Sequence, residues 1–135
     1  LPTEAQWEYA ARSAGKDSYT YAGSEEIDEV AWYRTTSKGT QTFPVGLLKP
    51  NSVKLYDMSG NVFEWCKDWY DSEYYKSCSK ATGATVENPT GAVDGSNRVL
   101  RGGSWFHFAV GCRSMYRDGY TPDYDDSYVG FRFLL

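Results

Sequence analysis

Only one segment of this chain carries a sustained helical period, and it lies at the start. Thr3 followed by Gln6 matches a capping box, and Trp7, Ala10, Ala11 and Ala14 recur at i, i+3, i+4 and i+7 before Gly15. Residues 4–14 are therefore predicted as an amphipathic helix. The remainder must pack on it through short strands and ordered loops. Gly23, Gly39, Pro44, Gly46 and Pro50 punctuate residues 16–52, which read as long ordered loops. Residues 62–70 hold Phe63, Trp65, Trp69 and Tyr70, an aromatic density that favours a strand. Residues 98–101 and 129–135 also read as strands, the latter alternating Val129, Phe131 and Phe133 with Gly130, Arg132 and Leu134. Between them, residues 71–97 are polar, with Asn88-Pro89 and Asp94-Gly95 as turn signals, and are predicted as a surface excursion. No internal repeat is present. The expected class is α+β, irregular and loop-rich, in a single domain over residues 1–135.

At 135 residues a single domain buries about two-thirds of its unfolded surface, enough for a core without staples. The 5 Trp, 12 Tyr and 6 Phe exclude disorder as the main state. A net charge of -4 and a pI near 4.9 have the wrong sign for phosphate binding, so nucleic acid is not an expected partner. No apolar run approaches the ~20 residues that span a bilayer, so membrane insertion is not expected either. No targeting signal is legible, and the compartment stays open. A single histidine, His107, removes most imidazole-based catalytic designs. Cys66, Cys78 and Cys112 form no CxxC pair, and free thiols or a bond between Cys66 and Cys112 are both open.

Two stretches carry chemistry. In DMSGNVFE, Asp57 and Glu64 flank a Gly-Asn turn, and backbone carbonyls between them would complete an oxygen cage for a hard cation. The competing reading pairs Glu64 with an arginine such as Arg101. Residues 106–128 contain no Lys, Glu or Gln, although the rest of the chain holds seventeen. Here Phe106, His107, Phe108, Val110, Gly111, Tyr116, Asp118, Gly119, Tyr120, Thr121, Tyr124, Asp125, Asp126, Ser127 and Tyr128 have the composition of a paratope. Tyrosine gives rigid amphipathic contact area, while Ser, Gly, Asp and Thr give adaptable hydrogen bonding. Trp105 reads as core, and Arg101, Arg113, Arg117 and Arg132 as framework.

The succession LPTEAQWEYAAR, PVG, LYDMSGNVFEWCKDWYD, NPTG, RVLRGGSW, CRSMYR and GFR resembles the formylglycine-generating-enzyme/sulfatase-modifying-factor family, in the family's order and over nearly the whole chain. The resemblance implies a variant of the C-type lectin fold; the family carries a segment before LPTE, and a naturally shortened N-terminus or a trimmed fragment are both open. It also implies a structural Ca²⁺ held by the side chains of Asp57 and Glu64 and the carbonyls of Gly60 and Val62. The family's copper-dependent oxidases use two cysteines five positions apart; carried onto this chain, the first falls on His107 and the second on Cys112. One thiolate is absent, so neither a redox cofactor nor catalysis is expected.

The segment between RGGSW and GFR further resembles the variable proteins of diversity-generating retroelements, whose C-terminal lectin-type domain is rewritten at template adenines. Rewritten asparagine codons yield residues outside Lys, Glu, Gln, Trp and Met, and in 106–128 only Met115 belongs to that excluded set. That resemblance implies a non-catalytic, ligand-binding role for residues 105–128. The expected ligand is a protein or other macromolecular surface, with carbohydrate as the runner-up. The alternatives are an ordinary, non-diversified binding or structural member of the family and, behind it, a copper- or thiol-dependent oxidase.

Overall fold

The computed structural model describes residues 1–80 and 86–134. The capping box forms as expected: the Thr3 hydroxyl accepts from the Gln6 amide (3.2 Å) and the Gln6 side chain accepts from the Thr3 amide (2.9 Å). Helix α1 spans Glu4–Ala11 and stops short of residue 14. Ser13 and Ala14 take left-handed backbone angles (φ 54° and 60°). Ser13 is fully buried, and its hydroxyl bonds Asp17 while accepting the Ser52 amide at 3.0 Å. Loop contacts therefore end the helix earlier than the alanine spacing suggests.

Two short helices lie in stretches read as loop: α2 (Ile27–Val30) and α3 (Tyr74–Lys80). Part of the predicted excursion over 71–97, residues 81–85, lies outside the described residues. Strands β1 (Ala31–Trp32) and β2 (Ser59–Gly60) form a small parallel pair. The main sheet contains β3 (Phe63–Trp69), β4 (Arg98–Arg101), β5 (Arg117–Tyr120) and β6 (Val129–Gly130), in spatial order β5-β4-β3-β6. Both β4 contacts are antiparallel; β6 runs parallel to β3. A register shift between Trp65 and Trp69 marks an irregularity in the β3–β4 ladder.

Helix α1 lies against β3 and β4. Trp7, Ala11, Ala22, Met58, Cys66 and Val99 form one core cluster, and Val30, Ala31, Tyr33 and Cys112 a second. Trp7 is 1% exposed, and its indole donates to Glu64 at 2.6 Å, so the buried ring has its polar atom satisfied.

The strand predicted over 129–135 is corrected: only Val129–Gly130 pairs. Past Gly130 the chain leaves β3 because Arg132 turns inward. Its guanidinium donates to both Glu64 carboxylate oxygens (2.6 and 2.7 Å) and to the Tyr56 carbonyl (3.1 Å). Phe131, Phe133 and Leu134 are left exposed. The architecture is the α+β, C-type lectin-like fold with few regular elements.

Candidate functional site

Residues 106–128 are pinned at their start, middle and end. The start follows β4 through Gly103, whose φ of +71° is left-handed and whose added Cβ would meet the Cys112 sulfur at 2.7 Å. The middle is β5, paired residue for residue with β4 from Arg101↔Arg117 to Arg98↔Tyr120. The end is tied into the sheet by the Phe63 amide, which donates to the Tyr128 carbonyl at 2.8 Å, and by the Phe63↔Val129 register. Sequence reading missed β5. Arg117-Asp118-Gly119 has no strand propensity, and the ladder is imposed by tertiary packing.

Beneath β5 lies a buried ion network. Glu4 accepts from Arg101 Nη1 (2.8 Å), Arg117 Nε (2.6 Å) and Arg117 Nη2 (2.8 Å). Arg101, fully buried, also donates to Glu8 (2.7 Å) and the Ser114 carbonyl (2.6 Å). Glu8 is partly buried, which by itself would raise its carboxyl; the charge and hydrogen bond of Arg101, with help from Arg12, hold it below the ordinary value. These bonds lock α1, β4 and β5 together, and they give Arg101 and Arg117 the framework role expected of them.

Above this frame the aromatic side chains form a continuous row. Phe106 stacks on Tyr128 (5.6 Å), Tyr128 neighbours Tyr124 (6.3 Å), and Tyr124 stacks on Tyr120 (4.3 Å). The Tyr124 and Tyr128 hydroxyls are hydrogen-bonded to each other, and burial followed by that bond pushes the Tyr128 phenol up to about 12. His107 sits beside the row, edge-on to Tyr128 (5.3 Å) and Phe63 (4.7 Å), with Nδ1 2.6 Å from the Ser104 hydroxyl. Burial lowers its pKa, and the charge of Asp118 works against that shift. Trp105, buried, supports Phe106 and Tyr128 from below, as core.

The other predicted positions divide cleanly. Phe108 and Val110 are exposed (65% and 52%), as are Thr121, Asp125, Asp126 and Ser127. Asp126 accepts from the Ser127 hydroxyl (3.0 Å) and the Tyr124 hydroxyl (3.3 Å). Tyr116 is half-buried, its ring 6.4 Å from Phe63. Asp118 accepts the Gly119 amide at 2.8 Å. Gly111 is buried, and a Cβ on Gly119 would lie 2.6 Å from the Tyr70 ring, so these two glycines serve the frame and offer no side chain to a ligand. Sequence reading also missed Arg34, whose guanidinium lies 5.4 Å from the Phe106 ring and 4.8 Å from that of Phe108. Arg34 lies 72 positions before Phe106 in the chain, and no motif marks the contact.

Cys66 and Cys112 are free, buried thiols. Burial pushes Cys112 up to about 12, despite backbone hydrogen bonds from Ser104 and Gly60, so it is a core thiol rather than a ready thiolate. Glu64 pairs with Arg132, not with Arg101. Among the described residues no group of three or more His, Cys, Asp or Glu side chains converges as a metal cluster. A site built largely of carbonyls is a different case. Asp57 holds a left-handed φ of 56°, its Oδ2 accepts the Gly46 amide (2.8 Å), and its buried Oδ1 has no hydrogen-bond partner among the described residues. Among the described residues Glu64 Oε1 accepts only from Arg132, leaving one lone pair. An orphaned carboxylate oxygen and a free lone pair fit an oxygen-ligated cation, although Arg132 already supplies positive charge there.

The whole chain, residues 1–135, matches the sulfatase-modifying factor enzyme 1-like domain. It is 38% identical to Treponema denticola variable protein 1, with a TM-score of 0.83 over 97% of this chain and 45% of that one. PvdO from Pseudomonas aeruginosa superimposes with a TM-score of 0.77 at 28% identity, over 97% of this chain and 50% of that one. The chain is also 38% identical to the formylglycine-generating enzyme of Streptomyces coelicolor, and 39% identical to serine/threonine-protein kinase pkn1 of Chlamydia pneumoniae, each over 98% of this chain. It spans 45% of the former and 20% of the latter. The fold, the ordered motif blocks and these relatives together place the chain in the formylglycine-generating-enzyme/sulfatase-modifying-factor family.

Proposed function

We propose that this domain is a non-catalytic binding module whose residues 106–128 form a diversified ligand-binding surface, as in a variable protein of a diversity-generating retroelement. The observation that carries this reading is the aromatic row Phe106–Tyr128–Tyr124–Tyr120 above a backbone pinned by β4, β5 and β6. Side chains at the rim can change there without moving the main chain, and a pre-organised backbone lowers the entropy cost of binding. The likeness to a protein named a variable protein supports it. The buried, neutral Cys112 and the His107 at the position of the first oxidase cysteine weigh against thiolate chemistry. The partner is a protein surface, to which the row offers large, low-entropy contact area; carbohydrate stacking on tyrosine faces is the alternative.

The deciding experiment is to sequence the DNA flanking the gene. The reading predicts a near-copy of the codons for residues 101–132, beside a reverse-transcriptase gene, with adenines at exposed positions such as 106, 108, 125 and 126. Absence of any such copy would leave an ordinary binding or structural member of the family. We further propose a structural Ca²⁺ held by Asp57, Glu64 and the carbonyls of Gly60 and Val62. The metal would act only to brace the turn between β2 and β3. Millimolar Ca²⁺ should then raise the melting temperature of metal-stripped protein, and an Asp57→Asn variant should not respond; an identical Tm with and without Ca²⁺ in the parent protein would remove the site.

A further inference from the structure

The chain has seven arginines, and six of them are committed within the fold. Arg12 donates to Glu8, Arg98 to the Lys67 carbonyl, Arg101 and Arg117 to Glu4, Arg113 to the Val110 carbonyl, and Arg132 to Glu64. Arg34 is the exception. It is exposed, and among the described residues its guanidinium makes no hydrogen bond or ion pair, meeting only the rings of Phe106 and Phe108.

This placement is built into the fold. The Arg34 amide donates to the His107 carbonyl at 2.9 Å. Three residues on, the buried Ser37 hydroxyl lies 2.6 Å from the Trp105 carbonyl oxygen and 2.7 Å from that of Tyr33. Tyr33 itself is buried in the core cluster with Cys112. The turn carrying Arg34 is therefore bonded at two points to the first residues of the candidate binding segment, yet Arg34 lies 72 positions before Phe106 in sequence, outside that segment.

We propose that Arg34 is a fixed anion subsite on this surface, taking the carboxylate of an Asp or Glu side chain on a protein partner. The inference rests on the reading of residues 106–128 as the binding surface and names the partner chemistry at one end of it. Contact with aromatic rings occupies the face of a guanidinium, while its planar N–H fork stays free to bind a carboxylate bidentately. The rings also restrict the arginine, so less side-chain entropy is lost on binding. Farther along the row, Asp125 and Asp126 are exposed near Tyr124. The surface thus runs from a cationic end to an acidic one, which favours a partner with the opposite order and sets its orientation. Because Arg34 lies outside the segment, its guanidinium would persist in every rewritten version of the surface, while the rings that restrain it, at positions 106 and 108, would vary.

The test is selection from a phage-displayed random dodecapeptide library on the immobilised domain, followed by affinity measurement of the enriched peptides. Winners should be enriched in Asp or Glu next to aromatic residues. Their affinity should fall about tenfold to a hundredfold on Arg34→Gln, as expected for loss of a charge-assisted bidentate contact, and less on Arg34→Lys. Replacing the selected acidic residue of a winner should cost the same and add nothing in the Arg34→Gln background. A Tyr124→Ala domain separates the two readings. Winners that lose binding on Tyr124→Ala but not on Arg34→Gln, or that show no acidic enrichment, would overturn the anion subsite alone. A library yielding no peptide sensitive to either substitution would overturn the subsite and the binding surface together. Unchanged melting temperature in Arg34→Gln, expected for an exposed side chain, excludes unfolding as the cause.

Discussion

The frame and the rim of residues 106–128 are interleaved in sequence but opposite in physics. At the frame, Arg117 and Gly119 face inward. One joins a buried network with Glu4 and Arg101, and the other leaves room for the Tyr70 ring. At the rim, Phe106, Phe108, Val110 and Asp126 are exposed; Phe106 stacks on Tyr128, and Asp126 accepts from the neighbouring Ser127 hydroxyl. A charge that is fully paired and dry cannot be altered without leaving its partner unpaired. An exposed ring can be altered with little effect on folding. Alternation of these two classes along one strand and its loops lets a single stretch of chain be both rigid and replaceable.

The comparison breaks most easily at Glu4. Glu4→Ala would leave Arg117 without its carboxylate and Arg101 with Glu8 alone, and urea unfolding should show a loss of about 3–5 kcal/mol; a loss under about 1 kcal/mol would mean that the network does not hold the frame. Next comes Gly119→Ala, whose Cβ would clash with Tyr70. Forced repacking of this kind costs about 1–3 kcal/mol, whereas tolerance of alanine would move Gly119 back among the replaceable positions.

Acidification sharpens the contrast further. The folded Glu8 carboxyl sits below the unfolded value of 4.5, so its contribution is complete above that value and is lost as pH falls through the lower, folded pKa. A Glu8→Gln variant should therefore lose less stability than the parent on going below pH 4.5. Equal slopes would place the acid sensitivity elsewhere. The smallest effects belong to the rim: Phe108→Ala and Asp126→Ala should each change stability by less than about 0.5 kcal/mol, read as melting temperatures within a degree or two of the parent.

Much of the frame was legible because its signals are local. The Thr3–Gln6 capping box, the aromatic density around Trp65 and the RVLR strand each announce their structure within a few residues. The exposed members of the candidate site were legible through composition, since the absence of Lys, Glu and Gln sets the segment apart. What escaped depends on distant contacts. Strand β5 is a strand only because β4 lies beside it. Residues 131–134 alternate like a strand, yet Arg132 is drawn to Glu64. Gly111 and Gly119 share the composition of a paratope and belong to the frame. Arg34 reaches the site through the Tyr33–Ser37 turn, whose bonds to Trp105 and His107 no local pattern encodes.

The central claim is that rim and frame are energetically separate, and it can be measured directly by saturation mutagenesis of residues 106–128 with a protease-resistance readout of folding. The account predicts broad tolerance at Phe106, Phe108, Val110, Tyr124, Asp125 and Asp126, and collapse for most substitutions at Cys112, Ser114, Arg117 and Gly119. Comparable sensitivity in the two sets would contradict it, because a surface whose side chains are needed for folding cannot serve as one that is rewritten for binding.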